Sequence, residues 1–269
     1  MGRIKLVNDV RDNSVESILR LLVSSRTESR DKGRRILVDR SSRICVGDII
    51  DYLREGNVEF RRGAIVAISE IRLSKKDKAT VLRMASNDAD VWVRYHFCYA
   101  IPHLCSRVTP RIRGILARFL NDASWHVRYA ALEVMENLSI TDHRFCEAAV
   151  RALKDSQWNV RCAAARAVTL CMCSYSPAIE ALGNATKDSN CCVRASVTEA
   201  MGSAGRQSGL NAIVELLTRM ISDPDVEVQI KAFSAAAQFL KELASITSAL
   251  RRVLKGKEEK GPRKGVGSL

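Results

Sequence analysis

The chain has 269 residues, with 43 lysines and arginines against 30 aspartates and glutamates, a formal net charge of +13 and nine cysteines. It is 46% hydrophobic, which excludes a wholly disordered chain. No apolar run reaches the roughly 18 residues of a transmembrane helix, and residues 1–10 are too polar for a secretory signal. We therefore expect no association with a membrane.

The cysteines form no Cys-x-x-Cys motif. Their odd number, in a chain without a secretory signal, favours reduced thiols and a cytoplasmic or nuclear location. Four of them fall on apolar helical stripes, where cysteine packs as a small hydrophobic residue. We expect these four to be buried in the core: Cys98, Cys105, Cys162 and Cys171.

Residues 1–73 come first in the chain and are predicted to form two degenerate helix pairs, over roughly 12–40 and 43–72. The second pair contains Glu55 and Phe60-Arg61, a weakened copy of a pattern that becomes regular further along. This pattern is Asp-x4-Val-Arg, and its arginines, starting with Arg61, step by 33, 34, 33 and 33 residues. Six copies in register at a near-constant period indicate a repeat protein. The complete copies begin at Asp88, Asp122, Asp155 and Asp188, and the last, at Asp223, ends in Val228-Gln229.

Each period is predicted to contain two amphipathic helices, because apolar residues recur at helical spacing on both sides of the Asp. Alanine dominates the positions three and six residues after each arginine, which lets neighbouring helices approach closely. Such pairs bury their apolar faces by stacking. The sequence therefore predicts an all-α fold, a right-handed α-solenoid of about seven antiparallel helix pairs, regular over 74–254 and closed by a capping helix at about 245–254. The predicted N-terminal helix caps are Ser74, Thr109, Thr141, Ser176 and Ser208.

Charge is unevenly distributed along the chain. Residues 1–62 and 63–250 each carry a net charge of +4, whereas the last 19 residues carry +5. Residues 255–269 have almost nothing to bury and are predicted to be a disordered basic tail.

The turn Asp, the Val-Arg that follows it and the alanines after it resemble the HEAT-repeat family, convincingly over 55–243. The resemblance implies that turn aspartates and helix arginines form a hydrogen-bonded structural ladder along the stack. The alternative is a stripe of arginines that binds nucleic acid, but an Asp accompanies each complete Val-Arg copy. Gln229 departs from the pattern, so the ladder should weaken in the last repeat. The ladder residues are Asp88, Arg94, Asp122, Arg128, Asp155, Arg161, Asp188 and Arg194.

All three tryptophans, Trp92, Trp125 and Trp158, are predicted to lie in the turn between paired helices. Either each ring covers the end of its own helix pair, or the rings form an aromatic ridge that binds a protein partner. Trp92 lies one residue further from its Asp than the others, so we expect it to point differently. The second helix of each pair adds exposed candidates for partner binding: Tyr95, Tyr99, Tyr129 and Arg166.

No residue set predicts catalysis, a cofactor or a metal site. His96 and His103 lie seven residues apart without a third ligand at fixed spacing. The HEAT-like metalloenzyme deoxyhypusine hydroxylase uses His-Glu dipeptides, and this chain has none. Glu133 and Glu136 are interpreted as members of a solvated helix face.

The leading hypothesis is a non-enzymatic HEAT-repeat scaffold or adaptor that binds a protein of unknown identity through its solenoid surface. The first alternative is a nucleic-acid-binding protein resembling the HEAT-like DNA glycosylases, which the sequence pI of about 9.6 favours. The second is a protein resembling phycobilin lyase subunits, which have similar short repeats.

Overall fold

The computed structural model describes residues 14–39, 45–105, 107–171, 177–204, 210–238, 240 and 241. These residues are helical or form connections between helices, and none of them lies in a β-strand. The chain divides into two compact units between Ser139 and Ile140. This boundary differs from the sequence-based division at 73 and 74, which rested on the regularity of the repeat and not on contacts.

The first unit begins with helix α1, which packs against both α2 and α4. The later second helices pack side by side, α4 against α6 and α6 against α8. The helices are α1 (Val15–Leu22), α2 (Thr27–Asp39), α3 (Val46–Glu55), α4 (Val58–Ile68), α5 (Lys75–Ala85), α6 (Val91–Leu104), α7 (Pro110–Phe119) and α8 (Trp125–Asn137).

The second unit continues the alternation of first and second helices, and its α10 packs along α12. The helices are α9 (His143–Ala152), α10 (Trp158–Thr169), α11 (Pro177–Ala185), α12 (Cys191–Ala204), α13 (Leu210–Met220) and α14, which covers 226–238, 240 and 241. No helix of the described residues is long and apolar enough to cross a bilayer.

Two of the predicted caps are confirmed. Ser74 accepts a hydrogen bond from the backbone N–H of Asp77 at the start of α5, and Thr109 accepts one from Ile112 in front of Pro110. The prediction of Thr141 as a helix cap is wrong, because the N-cap of α9 is Asp142, one residue later. Ser176, Ser208, the predicted capping helix and the basic tail lie outside the described residues.

The alanine-rich positions three and six residues after each arginine of the repeat, and after Gln229, are all at most 5% exposed. They belong to the buried core of the repeats, where small side chains allow neighbouring helices to approach closely. The residues are Ala64, Phe97, Ala131, Ala164, Val197 and Ala232 at the first position, and Ala67, Ala100, Val134, Ala167, Ala200 and Ala235 at the second.

Cys146 and Cys171 form a disulfide bond in the second unit, with 5.5 Å between their Cα atoms. The expectation of reduced thiols throughout is therefore wrong for this pair, since the sequence does not reveal that the two residues meet across α9 and the end of α10. Cys98 and Cys162 are buried free cysteines as expected, whereas Cys105 is only half-buried.

Candidate functional site

Arginines of the second helices bind aspartates of the next repeat in the first unit. Arg61 donates from Nε and Nη2 to the carboxylate of Asp88, at 2.8 and 3.2 Å. Arg94 does the same to Asp122, at 2.8 and 2.9 Å. The third guanidinium nitrogen of Arg94 donates to the backbone oxygen of Asp88, in its own turn, at 2.8 Å. Each arginine thus joins two consecutive turns.

The second unit repeats this arrangement. Arg161 binds the carboxylate of Asp188 at 2.7 and 2.8 Å, and Arg194 binds that of Asp223 at 2.8 and 2.9 Å. Gln229 replaces the arginine of the last repeat but still donates to the backbone oxygen of Asp223, at 2.7 Å. The substitution therefore keeps the contact within the turn.

Arg128 and Asp155 occupy the same positions in their own repeats. Arg128 donates to the backbone oxygens of Asp122 and Ala123, at 2.9 and 3.1 Å. The Asp155 carboxylate accepts the backbone N–H of Gln157 at 2.9 Å. Both side chains are therefore engaged at the turn of their own repeat.

A further ion pair joins α4 to the start of α6, and the sequence pattern did not reveal it. Arg62 donates to both carboxylate oxygens of Asp90, at 2.8 and 2.6 Å. Asp90 also caps α6 by accepting the backbone N–H groups of Trp92 and Val93. The hydrogen bond from Arg62 and these backbone bonds hold the pKa of Asp90 below its usual value.

The tryptophans lie in the first turn of second helices, so their predicted placement in the preceding turn is wrong. Trp125 and Trp158 are the first residues of α8 and α10, and Trp92 is the second residue of α6. At α6 the side chain of Asp90 caps the helix, so it starts ahead of the tryptophan. The three tryptophan side chains therefore project from second helices and not from the turns that precede them.

An aromatic cluster joins α6 to α8. The Trp92 ring lies 5.4 Å from Tyr95 and 4.7 Å from His126 of the next repeat, measured between ring centroids. Tyr95 packs edge-on against Tyr99 at 5.1 Å. Trp125 stacks on His126 at 3.7 Å. We call the residues of this cluster, together with Tyr129, the aromatic surface: Trp92, Tyr95, Tyr99, Trp125, His126 and Tyr129.

Glu133 binds the phenols of this surface and is not the solvated carboxylate that the sequence indicated. Its two carboxylate oxygens accept hydrogen bonds from Tyr99 at 2.5 Å and from Tyr129 at 2.7 Å. Burial and the hydrogen bond to Glu133 raise the pKa of Tyr99 well above its usual value. Tyr99 is therefore a neutral donor at physiological pH, and Glu133 fixes the orientation of two rings on neighbouring helices.

His96 lies beneath the aromatic surface and packs edge-on against Tyr95 at 5.2 Å. Burial and the positive charge of Arg62 lower its pKa to about 4, so the ring is neutral at pH 7. Among the described residues, no group of three or more His, Cys, Asp or Glu side chains converges as metal ligands would. His96 therefore packs against the aromatic surface as a neutral ring.

Trp158 and Arg166 belong to the second unit and are not members of the aromatic surface. Trp158 is 44% exposed at the start of α10, and Arg166 lies half-buried further along the same helix. Within the first unit, the sequence-based candidates did not include Arg62 or the contacts of Glu133, and the repeat positions of these two residues relate them to the candidates. Arg62 takes the same repeat position as Tyr95 and Tyr129. Glu133 takes the same repeat position as Tyr99, so the register of the repeat relates both residues to the aromatic surface.

No protein-family model matches the chain, and no curated protein matches it. Among solved structures, Cex1p shares 12% identity at a TM-score of 0.56, over 87% of this chain and 53% of its own length. An engineered protein shares 18% identity at a TM-score of 0.50, over 84% and 68%. YibA of E. coli shares 18% identity at a TM-score of 0.48, over 84% and 92%. At such identities the likeness of Cex1p and the engineered protein supports a helical-repeat fold and says nothing of function.

Proposed function

We propose that this chain is a non-enzymatic helical-repeat adaptor that binds a protein partner through the aromatic surface of its first unit. The observation that carries the proposal is the contact between Trp92 and His126, which joins aromatic side chains of two successive repeats. Tryptophan and tyrosine dominate the energetics of protein interfaces because they bury large areas at a low cost in side-chain entropy.

The surface is held in place before any partner arrives. Tyr95 is packed against Trp92 and Tyr99, and Glu133 binds both Tyr99 and Tyr129. Trp92 nevertheless remains 37% exposed, so part of its ring is available for contact. A rigid surface of this kind binds at a lower entropic cost than one that must be ordered.

The ladder arginines support a protein partner over a nucleic-acid partner at this site. Arg61, Arg94, Arg161 and Arg194 each bind a carboxylate through two nitrogens, with side chains at most 21% exposed. Phosphates would have to displace those aspartates. The second helices therefore offer aromatic rings and phenols to a ligand, which suits a helix or extended peptide lying across α6 and α8.

The test is quantitative affinity capture with the full chain, comparing the wild type with a Trp92→Ala, Tyr95→Ala double variant. The matched control is Trp158→Ala, which removes an exposed tryptophan from the second unit. A partner that depends on the aromatic surface is depleted at least tenfold by the double variant and retained by the control. Thermal unfolding of each variant verifies the fold, and a Trp92→Glu variant, which leaves Tyr95 in place, should lose the same partner.

A partner set that is identical for the wild type, the double variant and the Trp92→Glu variant would reject the aromatic surface as the binding site.

A further inference from the structure

The first helices α5 and α7 carry an excess of positive charge that the overall balance of the chain conceals. Together with the connection before α7, they hold eight lysines and arginines and a single acidic residue, Asp77. That aspartate accepts a hydrogen bond from the hydroxyl of Ser74 at 2.6 Å. All the basic side chains except Lys78 are on exposed residues. We call this set the basic face: Lys75, Lys76, Lys78, Arg83, Arg107, Arg111, Arg113 and Arg118.

A hydrogen bond joins the ends of the two helices. Arg118 of α7 donates to the backbone oxygen of Ser86, the residue that ends α5, at 2.9 Å. Burial raises the pKa of the half-buried Cys105 thiol, and the positive charges of Lys78 and Arg111 both oppose that rise. The hydrogen bond from Arg118 and this shared effect on Cys105 indicate that the basic residues of α5 and α7 lie on neighbouring helices.

The spacing along each helix is regular. Lys76 and Arg83 lie seven residues apart on α5, and Arg111 and Arg118 lie seven residues apart on α7. Two helical turns separate the members of each pair, about 10 Å along the axis. Cations with this spacing can contact several phosphates of one polyanion, though not adjacent ones of the same strand.

The chemistry of the face favours phosphate over other anions. Five of the eight cations are arginines, whose planar guanidinium groups bind phosphate through two nitrogens at once. Within the basic face Asp77 is the one acidic residue, and α3, which packs against α5, adds Asp48, Asp51 and Glu55. The basic face and α3 together still carry more than twice as many basic as acidic side chains.

The residues between the cations indicate which phosphate polymer fits. The one aromatic residue of α5 and α7, Phe119, is 1% exposed and cannot stack on a base. Single-stranded nucleic acids are bound largely by such stacking. None of the large exposed apolar residues of the described chain lies on α5 or α7, so these helices have no anchor for a lipid bilayer.

We propose that the basic face binds the phosphate backbone of double-stranded nucleic acid without reading its bases. The site lies on the first helices, whereas the aromatic surface lies on α6 and α8, so the two proposals are independent. Binding of this kind is electrostatic and depends steeply on salt, because each neutralised phosphate releases a counterion.

The test is fluorescence anisotropy of the full chain with a labelled 24-base-pair DNA duplex of arbitrary sequence, at several salt concentrations. With four or five phosphates neutralised, the slope of log affinity against log salt is about −4. The variant is a triple substitution of exposed residues, Lys76→Gln, Arg83→Gln and Arg111→Gln. It should weaken binding at least tenfold and make the slope shallower by about 2 to 3.

The matched control removes three positive charges from the second unit instead, by Arg144→Gln, Arg151→Gln and Lys154→Gln. It should change the affinity less than threefold. A chain that lacks 255–269 should keep the dependence of affinity on salt that the basic face produces, because the basic face is still present. Thermal unfolding of each variant separates loss of binding from loss of structure.

Four outcomes would overturn the proposal. The triple variant could bind the duplex as tightly as the wild type, or all binding could disappear with residues 255–269. A single strand of the same length could bind as tightly as the duplex, which would indicate base stacking. Finally, vesicles containing phosphatidylserine could bind the chain while the duplex does not, which would make the face a membrane contact.

Discussion

Arg94 of one repeat and Asp122 of the next form a two-point ion pair, with Nε and Nη2 of the arginine at 2.8 and 2.9 Å from the two carboxylate oxygens. The side chains are 16% and 11% exposed. The aspartate also accepts the backbone N–H of Ser124 at 2.9 Å, which orders the turn before α8. One carboxylate thus connects the second helix of one repeat to the turn of the following one.

Removing either partner should destabilise the first unit. We expect Asp122→Asn and Arg94→Gln each to lower the free energy of unfolding by about 1–3 kcal/mol, since each leaves a partly buried charge without its partner. A double-mutant cycle measured by urea denaturation should give a coupling energy of about 1–2 kcal/mol. The control is Arg54→Gln, whose pair with Asp51 is at least half exposed at both side chains and should cost less than about 1 kcal/mol.

Acid should weaken the ion pairs that join successive repeats. The hydrogen bonds from Arg194 lower the pKa of Asp223, and those from Arg62 lower the pKa of Asp90. A carboxyl whose pKa is lower in the folded state stabilises the fold fully above its unfolded value, near 4, and loses that contribution as the pH falls toward the folded value.

His96 adds to this loss at higher pH, because its ring stays neutral in the fold down to about pH 4 but takes up a proton below about pH 6.5 in the unfolded chain. We therefore expect the thermal unfolding midpoint to begin to fall below about pH 6.5 and to fall more steeply below about pH 4. Asp223→Asn should lower the midpoint at pH 7 and reduce its further loss in acid. An Asp223→Asn variant whose acid sensitivity equals that of the wild type would show that this ion pair does not contribute to it.

The repeat period, the ladder register and the alanine contacts could be predicted from the sequence because each repeats at fixed spacing. Arg94 and Asp122 carry such a signal, and so do Ala64 and Ala67. The contact of Glu133 with Tyr99 and Tyr129 could not, because it combines different residue types at equivalent positions of successive helices. Summed charge likewise hid the basic face, since the arginines that pair with aspartates on second helices and the basic residues of α5 and α7 count equally in a total.

The disulfide was missed for a related reason. Cys146 and Cys171 are 25 residues apart, on a first helix and at the end of the second helix of the same pair. Sequence spacing does not show that they meet. A bond that closes a loop of this length stabilises a fold by about 3–4 kcal/mol in the chain-entropy model.

Reduction should therefore lower the thermal unfolding midpoint of the wild type. The Cys146→Ser, Cys171→Ser double variant should unfold at a lower temperature than the oxidised wild type, and its midpoint should not change with dithiothreitol. Intact mass after alkylation under non-reducing conditions tests the bond directly, because the two cysteines should resist modification until reduced. Rapid alkylation of both cysteines in the unfolded, unreduced chain would show that the bond is absent.

Two glycines within helices of the first unit should respond in opposite ways to the same substitution. A Cβ at Gly63 of α4 would lie 2.5 Å from the backbone oxygen of Leu19 and 2.8 Å from its Cβ, because α1 and α4 touch at that point. A Cβ at Gly114 of α7 would have no atom within 4 Å. Alanine is favoured over glycine in a helix by about 1 kcal/mol, so Gly114→Ala should stabilise the unit by up to that amount.

At Gly63 the same gain in helix propensity is opposed by the clash with Leu19, which can be relieved only by moving α1 away from α4. Overpacking of this kind costs about 1–3 kcal/mol, so Gly63→Ala should lower the free energy of unfolding. Urea denaturation of both variants measures the difference directly. If Gly63→Ala stabilised the chain as much as Gly114→Ala, the close approach of α1 to α4 could not be a tight contact, and the packing of the N-terminal helices would have to be looser than the structure has it.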